Sequence, residues 1–216
     1  MVITVDGDYG GGGREVARIL AQMTGYTNYD DDQTVLDAAR EAGIELEMKA
    51  FENFDESSGA GNISELKKMS SVIRKSGWIS KHAADVLPLD EKVAAAERKV
   101  VNYLADKDNC IIHGRCANYY LSDRANVISI YITDEKKKSE QRIMNWLDCS
   151  AEEALKAIKK VNKRRNEYFS YFTDKDVNDP SNYDIVLNVS IYGEEGAAKL
   201  IKTMIEIREE IMNKNG

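Results

Sequence analysis

Short apolar runs alternate along this chain with longer stretches whose apolar residues recur every three or four positions. Residues 2–5 are a compact, β-branched run that stops at Asp6-Gly7 and predict a buried strand. Beyond the glycines at 10–13, the spacing of Val16, Ile19 and Leu20 predicts a helix over 14–23. Residues 26–29 make a poor buried strand. Helices are expected over 31–42, with acidic residues at its start to suit the helix dipole, and over 64–75, separated by a polar loop at 51–62. A helix over 90–106 carries the stripe Val93, Ala96, Val100, Val101 and Leu104.

Apolar runs at 110–113 and 127–132 predict two more strands, the first ending at Gly114-Arg115. A basic helix follows from Asp134 through Lys136, Lys137, Lys138 and Arg142. Ser150 and Glu153 form a capping box that opens a long helix reaching about Phe172. Its expected inner stripe is Leu155, Ile158 and Val161. A last strand is expected at 185–189, then a closing helix with Leu200, Met204, Ile207 and Ile211 at helical spacing. Strands alternating with helices imply a parallel sheet covered on both faces. The helical segment 31–106 interrupts that alternation and predicts a lobe inserted into a single domain.

Composition narrows the function classes. The chain has 216 residues and a formal net charge of −7, which argues against non-specific nucleic-acid binding while leaving room for a local basic cleft. Cys110, Cys116 and Cys149 are scattered and lack a C-x-x-C pair, so neither a disulfide framework nor a zinc site is expected, and a reducing compartment fits. The first residues carry no basic or apolar leader pattern and no run is long enough to span a membrane, so the expected location is cytoplasmic. The oligomeric state is not legible in the sequence.

The candidate chemistry begins at the glycines. Gly10, Gly11, Gly12 and Gly13 stand between a strand and a helix, where each costs backbone entropy on ordering. Such a loop lets the backbone approach a ligand closely, and the helix N-terminus behind it offers unpaired N–H groups and positive dipole character suited to phosphate. Gly7 to Gly12 fits the first half of G-x-x-x-x-G-K-[ST]; Gly13 then takes the lysine position, and Arg14 and Glu15 follow. Arg14 can supply the cation, and Glu15 can help hold a metal or face away. A dinucleotide reading also exists: Gly10-x-Gly12 opens a helix and Asp30 follows at the distance of a ribose-binding acid, although Glu15 occupies the third glycine position.

Basic residues gather elsewhere. Arg115 follows Gly114 at the carboxyl end of a predicted strand, the edge at which open α/β sheets bind ligands. It is a good phosphate fork or a surface ion pair. On the long helix, continuing the inner spacing places Arg165, Tyr168, Phe169 and Phe172 inward, so Arg165 must meet either a protein acceptor or a ligand phosphate. Lys160, Lys163 and Arg164 surround it. His82 and His113 sit near no recognisable nucleophile and are expected to be structural. Asp6 can help orient magnesium or the loop.

These pieces resemble the cytidylate kinase-like family, relatives of bacterial cytidylate kinases in the P-loop nucleoside monophosphate kinase group. The resemblance lies in residues 2–15 (VITVDGDYGGGGRE), 111–117 (IIHGRCA), 162–165 (NKRR) with Tyr168, and 179–190 (DPSNYDIVLNVS). It implies an α/β, three-layer, P-loop NTPase-type parallel sheet with helices on both faces. It further implies an ATP-binding core (1–30 and 107–216), an acceptor lobe (31–106) and a lid at about 162–176. It does not extend to the residues that contact CMP. Cytidylate kinases follow Gly114-Arg115 with an acid where Cys116 stands, and their lid pattern R-D-x-x-D-x-x-R falls on Val161, Asn162, Arg165 and Tyr168.

The expected activity is therefore transfer of a phosphoryl group from ATP, with Mg2+, to a nucleotide or similar small phosphorylated acceptor. Gly7 and Gly10 to Gly13 would cradle the donor, Arg14 would replace the lysine, Arg115 would hold the acceptor phosphate, and Arg164 and Arg165 would close over the transferring group. A non-catalytic nucleotide-binding or regulatory protein of the same fold, and a dinucleotide-binding oxidoreductase, are the alternatives.

Overall fold

The computed structural model describes residues 1–30, 89–114 and 116–215. The expected helices over 31–42 and 64–75, the loop over 51–62, His82 and Arg115 lie outside the described residues. Strands β1 (Val2–Gly7), β2 (Thr27–Tyr29), β3 (Cys110–His113), β4 (Val127–Thr133) and β5 (Ile185–Asn188) form one parallel sheet in the order β2-β3-β1-β4-β5. Central β1 pairs on both sides, Ile3 standing opposite Ile111 and Ile128. Both faces of such a strand meet helices, which is why its sequence is a continuous apolar run.

Side chains alternate between the two faces. Ile3, Val5, Ile111, Ile128, Ile130 and Ile132 pack under α1 (Gly13–Thr24) and the closing helix α6 (Val189–Asn215). Val2, Cys110, Ile112 and Val127 pack under α2 (Leu89–Lys107) and the short α3 (Ala117–Tyr120). An aromatic cluster built on Cys116, Tyr131, Tyr168, Phe169 and Tyr183 seats the C-terminal part of α5 (Ala151–Thr173) on that second face. Helix α4 (Lys136–Leu147) precedes α5.

Each helix has a local cause. Helix α1 buries Val16, Ala17 and Leu20 and stops at Gly25 (φ 74°), whose N–H returns to Ala21 O. Leu20 is fully buried, so truncating it to alanine would cost roughly 2–5 kcal/mol. The capping box of α5 is formed: Ser150 Oγ accepts from Glu153 N–H, and the Glu153 carboxylate accepts from Ser150 N–H at 2.9 Å. Cys110 and Cys116 are buried and unbridged.

Packing corrects several expectations. Residues 27–29 do form a strand, at the edge of the sheet among the described residues, where a short polar segment can serve. Leu155 is exposed, and Ala154 is the buried residue in the first turns of α5. On α6, Leu200, Ile207 and Ile211 are exposed while Ala197, Ala198, Ile201 and Ile205 fill the core, so the expected stripe is rotated from the buried one. Val100, Val101, Leu104 and Ala105, on the C-terminal half of α2, belong to the core layer. Among the described residues, no helix is long and apolar enough to cross a membrane.

Candidate active site

The carboxyl end of β1 runs into the glycine loop. Gly7 is held against β4 so closely that a Cβ there would lie 2.2 Å from Ile132 O, and the next amide, Asp8 N–H, donates to that same oxygen at 3.1 Å. Gly11 N–H closes a turn on Asp8 O at 2.8 Å. Gly10 (φ 82°) and Gly12 (φ 88°) take left-handed conformations that glycine adopts without strain. Gly12 is the N-cap of α1 and no side chain caps it. The first amides of α1 thus emerge from a glycine rim, and Gly12 itself offers them no side-chain cap.

Cations from the α4–α5 hairpin fix this loop through its carbonyls. Arg165 donates to Gly7 O at 2.8 Å, and Arg142 donates to Gly10 O. Arg142 also bonds Glu194 at 2.6 Å and lies 3.0 Å from Asp134 Oδ2, an ion pair whose angle is not that of a hydrogen bond. The Asp134 side chain is 1% exposed and accepts from Ser190 Oγ. Asn162 Oδ1 accepts from Tyr9 N–H at 2.8 Å. The Asp8 carboxylate accepts from Thr133 Oγ1 at 2.8 Å and from Tyr131 Oη at 3.1 Å.

Electrostatics at the strand ends follow from burial beside these cations. Burial lifts the Asp6 carboxyl from 3.8 to about 6, against the opposing pull of Arg165. Burial, then the charges of Arg14 and Arg165, push the His113 imidazole down to about 3, and its Nε2 has no hydrogen-bond partner among the described residues. His113 is therefore a neutral, structural residue. Burial lowers the pKa of Arg165 while Asp6 raises it, and the guanidinium stays charged.

The sequence-derived candidates divide accordingly. Gly7, Gly10, Gly11, Gly12 and Gly13 form the loop, and Arg165 reaches it. Arg14 sits in the first turn of α1 with its guanidinium carbon 5.9 Å from the Trp146 ring. Glu15 is turned along the exposed side of α1 to Arg18, at 2.6 and 2.9 Å, and is not gathered with the loop. Arg164 is half-buried on the next position round α5 from Arg165. Arg115 is outside the described residues, although its neighbour Gly114 lies beside Asp6. None of Arg142, Asn162, Tyr9 and Trp146 was a candidate from sequence: Tyr9 and Asn162 stood only as letters of the resembling segments, Arg142 only as a charge on a basic helix, and nothing in the local pattern marks Trp146.

The dinucleotide reading fails on topology. In that fingerprint the strand bearing the ribose-binding acid adjoins the first strand. Here β3 lies between β1 and β2, so Asp30 is two strands, ~10 Å, from the loop strand.

The arrangement has known counterparts. A solved structure of an uncharacterized protein from Eubacterium ventriosum superposes with a TM-score of 0.65 at 21% identity, covering 95% of this chain and 98% of that one. A shikimate kinase from Bacteroides thetaiotaomicron superposes at 0.50 with 12% identity over 95% and 98% of the two chains. A cytidylate kinase of Saccharolobus islandicus is 24% identical over 210 residues, 96% of this chain and 92% of the relative. The description of the cytidylate kinase-like family matches residues 2–191, which takes in every strand and the glycine loop, and the chain belongs to that family.

Proposed function

We propose that this protein is an ATP-dependent phosphotransferase whose acceptor is a nucleoside monophosphate or a similar small phosphorylated molecule. The observation that carries the reading is the uncapped, glycine-rimmed N-terminus of α1 at the end of the central strand, braced from behind by Arg142 and Arg165. Phosphoryl transfer asks mainly for positioning and charge neutralisation, which backbone amides and guanidinium groups supply.

Gly10 to Gly13 wrap the donor phosphates with amides. Arg14, a planar fork and not a mobile point charge, supplies the cation where a lysine is absent. Arg115 holds the acceptor phosphate. Arg165 places a second positive charge over the transferring group without leaving its bond to Gly7 O, and Arg164 approaches from the neighbouring position of the same turn. Among the described residues no three carboxylate, histidine or cysteine groups converge as a metal cage. Magnesium arrives on phosphates and needs only one or two carboxylates; Asp6, at the strand end, would complete its shell. The ion would neutralise phosphate charge.

The acceptor is expected to differ from CMP in the groups it offers, because Asn162 and Arg165 are committed to Tyr9 and Gly7 where a CMP lid carries acids. The test is ADP release from MgATP with CMP, dCMP, UMP, AMP and GMP, beside an Arg115→Ala control. One acceptor stimulating release, and the control abolishing it, supports the reading. ATP binding with no product from any acceptor would overturn the transferase assignment in favour of a nucleotide-binding protein without turnover.

A further inference from the structure

A carboxylate taken out of water is costly unless it is hydrogen-bonded. Glu97, midway along α2, is 3% exposed, and the Tyr168 hydroxyl of α5, on a residue itself 7% exposed, donates to it. Val100 and Val101, one turn beyond Glu97, are sealed in the core. The carboxylate is therefore a fixed point and not the tip of a mobile arm. Burial, then the Glu97 charge, push the Tyr168 phenol up, so it keeps its proton and remains a donor. The Tyr168 ring meets the Phe172 ring edge-on at 4.6 Å between centroids.

The place of this pair on α5 gives it a consequence at the glycine loop. Asn162, Arg165 and Tyr168 follow one another at three-residue intervals on one face of that helix. Asn162 accepts from Tyr9 N–H, Arg165 donates to Gly7 O at 2.8 Å, and Tyr168 reaches α2. Tyr168 stands ~4.5 Å along the helix axis from Arg165. A slide or roll of α5 by about 1 Å would break the Arg165 bond, since a hydrogen bond fails beyond about 3.5 Å.

We infer that Glu97 is a positioning residue: through Tyr168 it fixes the height and roll of α5, and so holds the Arg165 guanidinium at the glycine loop. The inference rests on the proposed phosphate role of that loop and adds what aligns its second cation. Apolar packing alone would seat α5 as firmly, because a buried polar pair can be exchanged for apolar groups of similar volume without loss of stability. A hydrogen bond has direction, and here it ties the helix bearing Arg165 to a carboxylate anchored in the core.

Calorimetric titration of the full chain with MgATP, beside urea unfolding, separates positioning from stability. Arg165→Ala is expected to weaken MgATP by ~10- to 150-fold, the worth of a hydrogen bond to a charged group. The paired substitution Glu97→Leu/Tyr168→Phe removes both partners of the bond and keeps the ring, so its urea midpoint is expected at or above the parent's. It is nonetheless expected to bind MgATP ~3- to 10-fold more weakly, and to add less than about twofold to the loss caused by Arg165→Ala, because its effect runs through that side chain. Glu97→Gln keeps an acceptor for the phenol and is expected to bind within about twofold of the parent, whereas Glu97→Leu alone shows the loss of the paired variant. Equal binding by the Gln and Leu variants, or a paired-variant loss that adds in full to that of Arg165→Ala, would overturn the positioning role and leave the loop's role standing. Failure of the unaltered protein to bind MgATP would overturn the proposed function, and this inference with it.

Discussion

Replacing Gly7 with alanine sets a methyl group against backbone that has no room to yield. The new Cβ would stand 2.2 Å from Ile132 O and 3.1 Å from Ile132 C, where ordinary contact needs about 3.4 Å or more. The obstacle is a carbonyl of the paired strand, Gly7 facing Ile132 in the β1–β4 ladder, so relief requires the strands to part. The same oxygen accepts Asp8 N–H, a bond worth about 1 kcal/mol that parting would weaken. Overpacking alone costs about 1–3 kcal/mol, so Gly7→Ala should lose about 2–4 kcal/mol in total. For a chain of this size that lowers Tm by ~4–16 °C.

Gly13→Ala is the matched control. Its Cβ would meet Val5 and Ile132 side chains at 3.6–3.9 Å, ordinary contact, in a helical backbone conformation. It should be neutral or stabilising by up to about 1 kcal/mol. Urea unfolding followed by far-UV circular dichroism measures both variants. A Gly7→Ala protein within 1 kcal/mol of the parent, or a Gly13→Ala protein destabilised as severely as Gly7→Ala, would refute the steric reasoning.

Other consequences are equally direct. Arg142→Ala leaves the almost fully buried Asp134 without its cation and Gly10 O without its donor; a loss of about 2–3 kcal/mol in urea unfolding and weaker nucleotide binding are expected. Ser150→Ala removes one half of the capping box and should cost about 1 kcal/mol, read in the same unfolding experiment. Asp6 holds its proton more tightly when folded, so its contribution is greatest below about pH 4 and is lost as pH rises through about 6, by at most about 3 kcal/mol; the stability difference between parent and Asp6→Asn should change with that sign across pH 4–7. His113 acts in the opposite sense: its imidazole is kept neutral, so its contribution is present above pH 6.5 and declines as pH falls toward 3, and His113→Asn should flatten the acid limb of the stability profile.

Several features of the site were legible because they are local. The glycine run between a β-branched strand and an amphipathic helix announces a phosphate-type turn from sixteen consecutive letters or so. The inward placement of Arg165 followed from helical spacing with Tyr168 and Phe169, and both of those are buried. The spacing could not say what Arg165 meets; the acceptor, Gly7 O, is 158 positions away. Arg142 looked like one more charge on a basic helix, yet it grips Gly10 from 132 positions away. Trp146 gave no signal, since a lone tryptophan in a helix is as readily core as surface.

The sequence by itself determined four of the five strands, the long helices among the described residues, and the glycine loop. These depend on side-chain period, capping groups and glycine's freedom at positive φ, all of which act within a few residues. Tertiary structure decided the order β2-β3-β1-β4-β5, and with it the distance of Asp30 from the loop. It also decided which helical stripe is buried. On α6 the two apolar stripes compete, and the small side chains of Ala197 and Ala198 allow close approach to the core while Leu200, Ile207 and Ile211 stay outside. Such choices are made by packing between segments far apart in the chain, where the apolar pattern of either segment alone is satisfied by more than one arrangement.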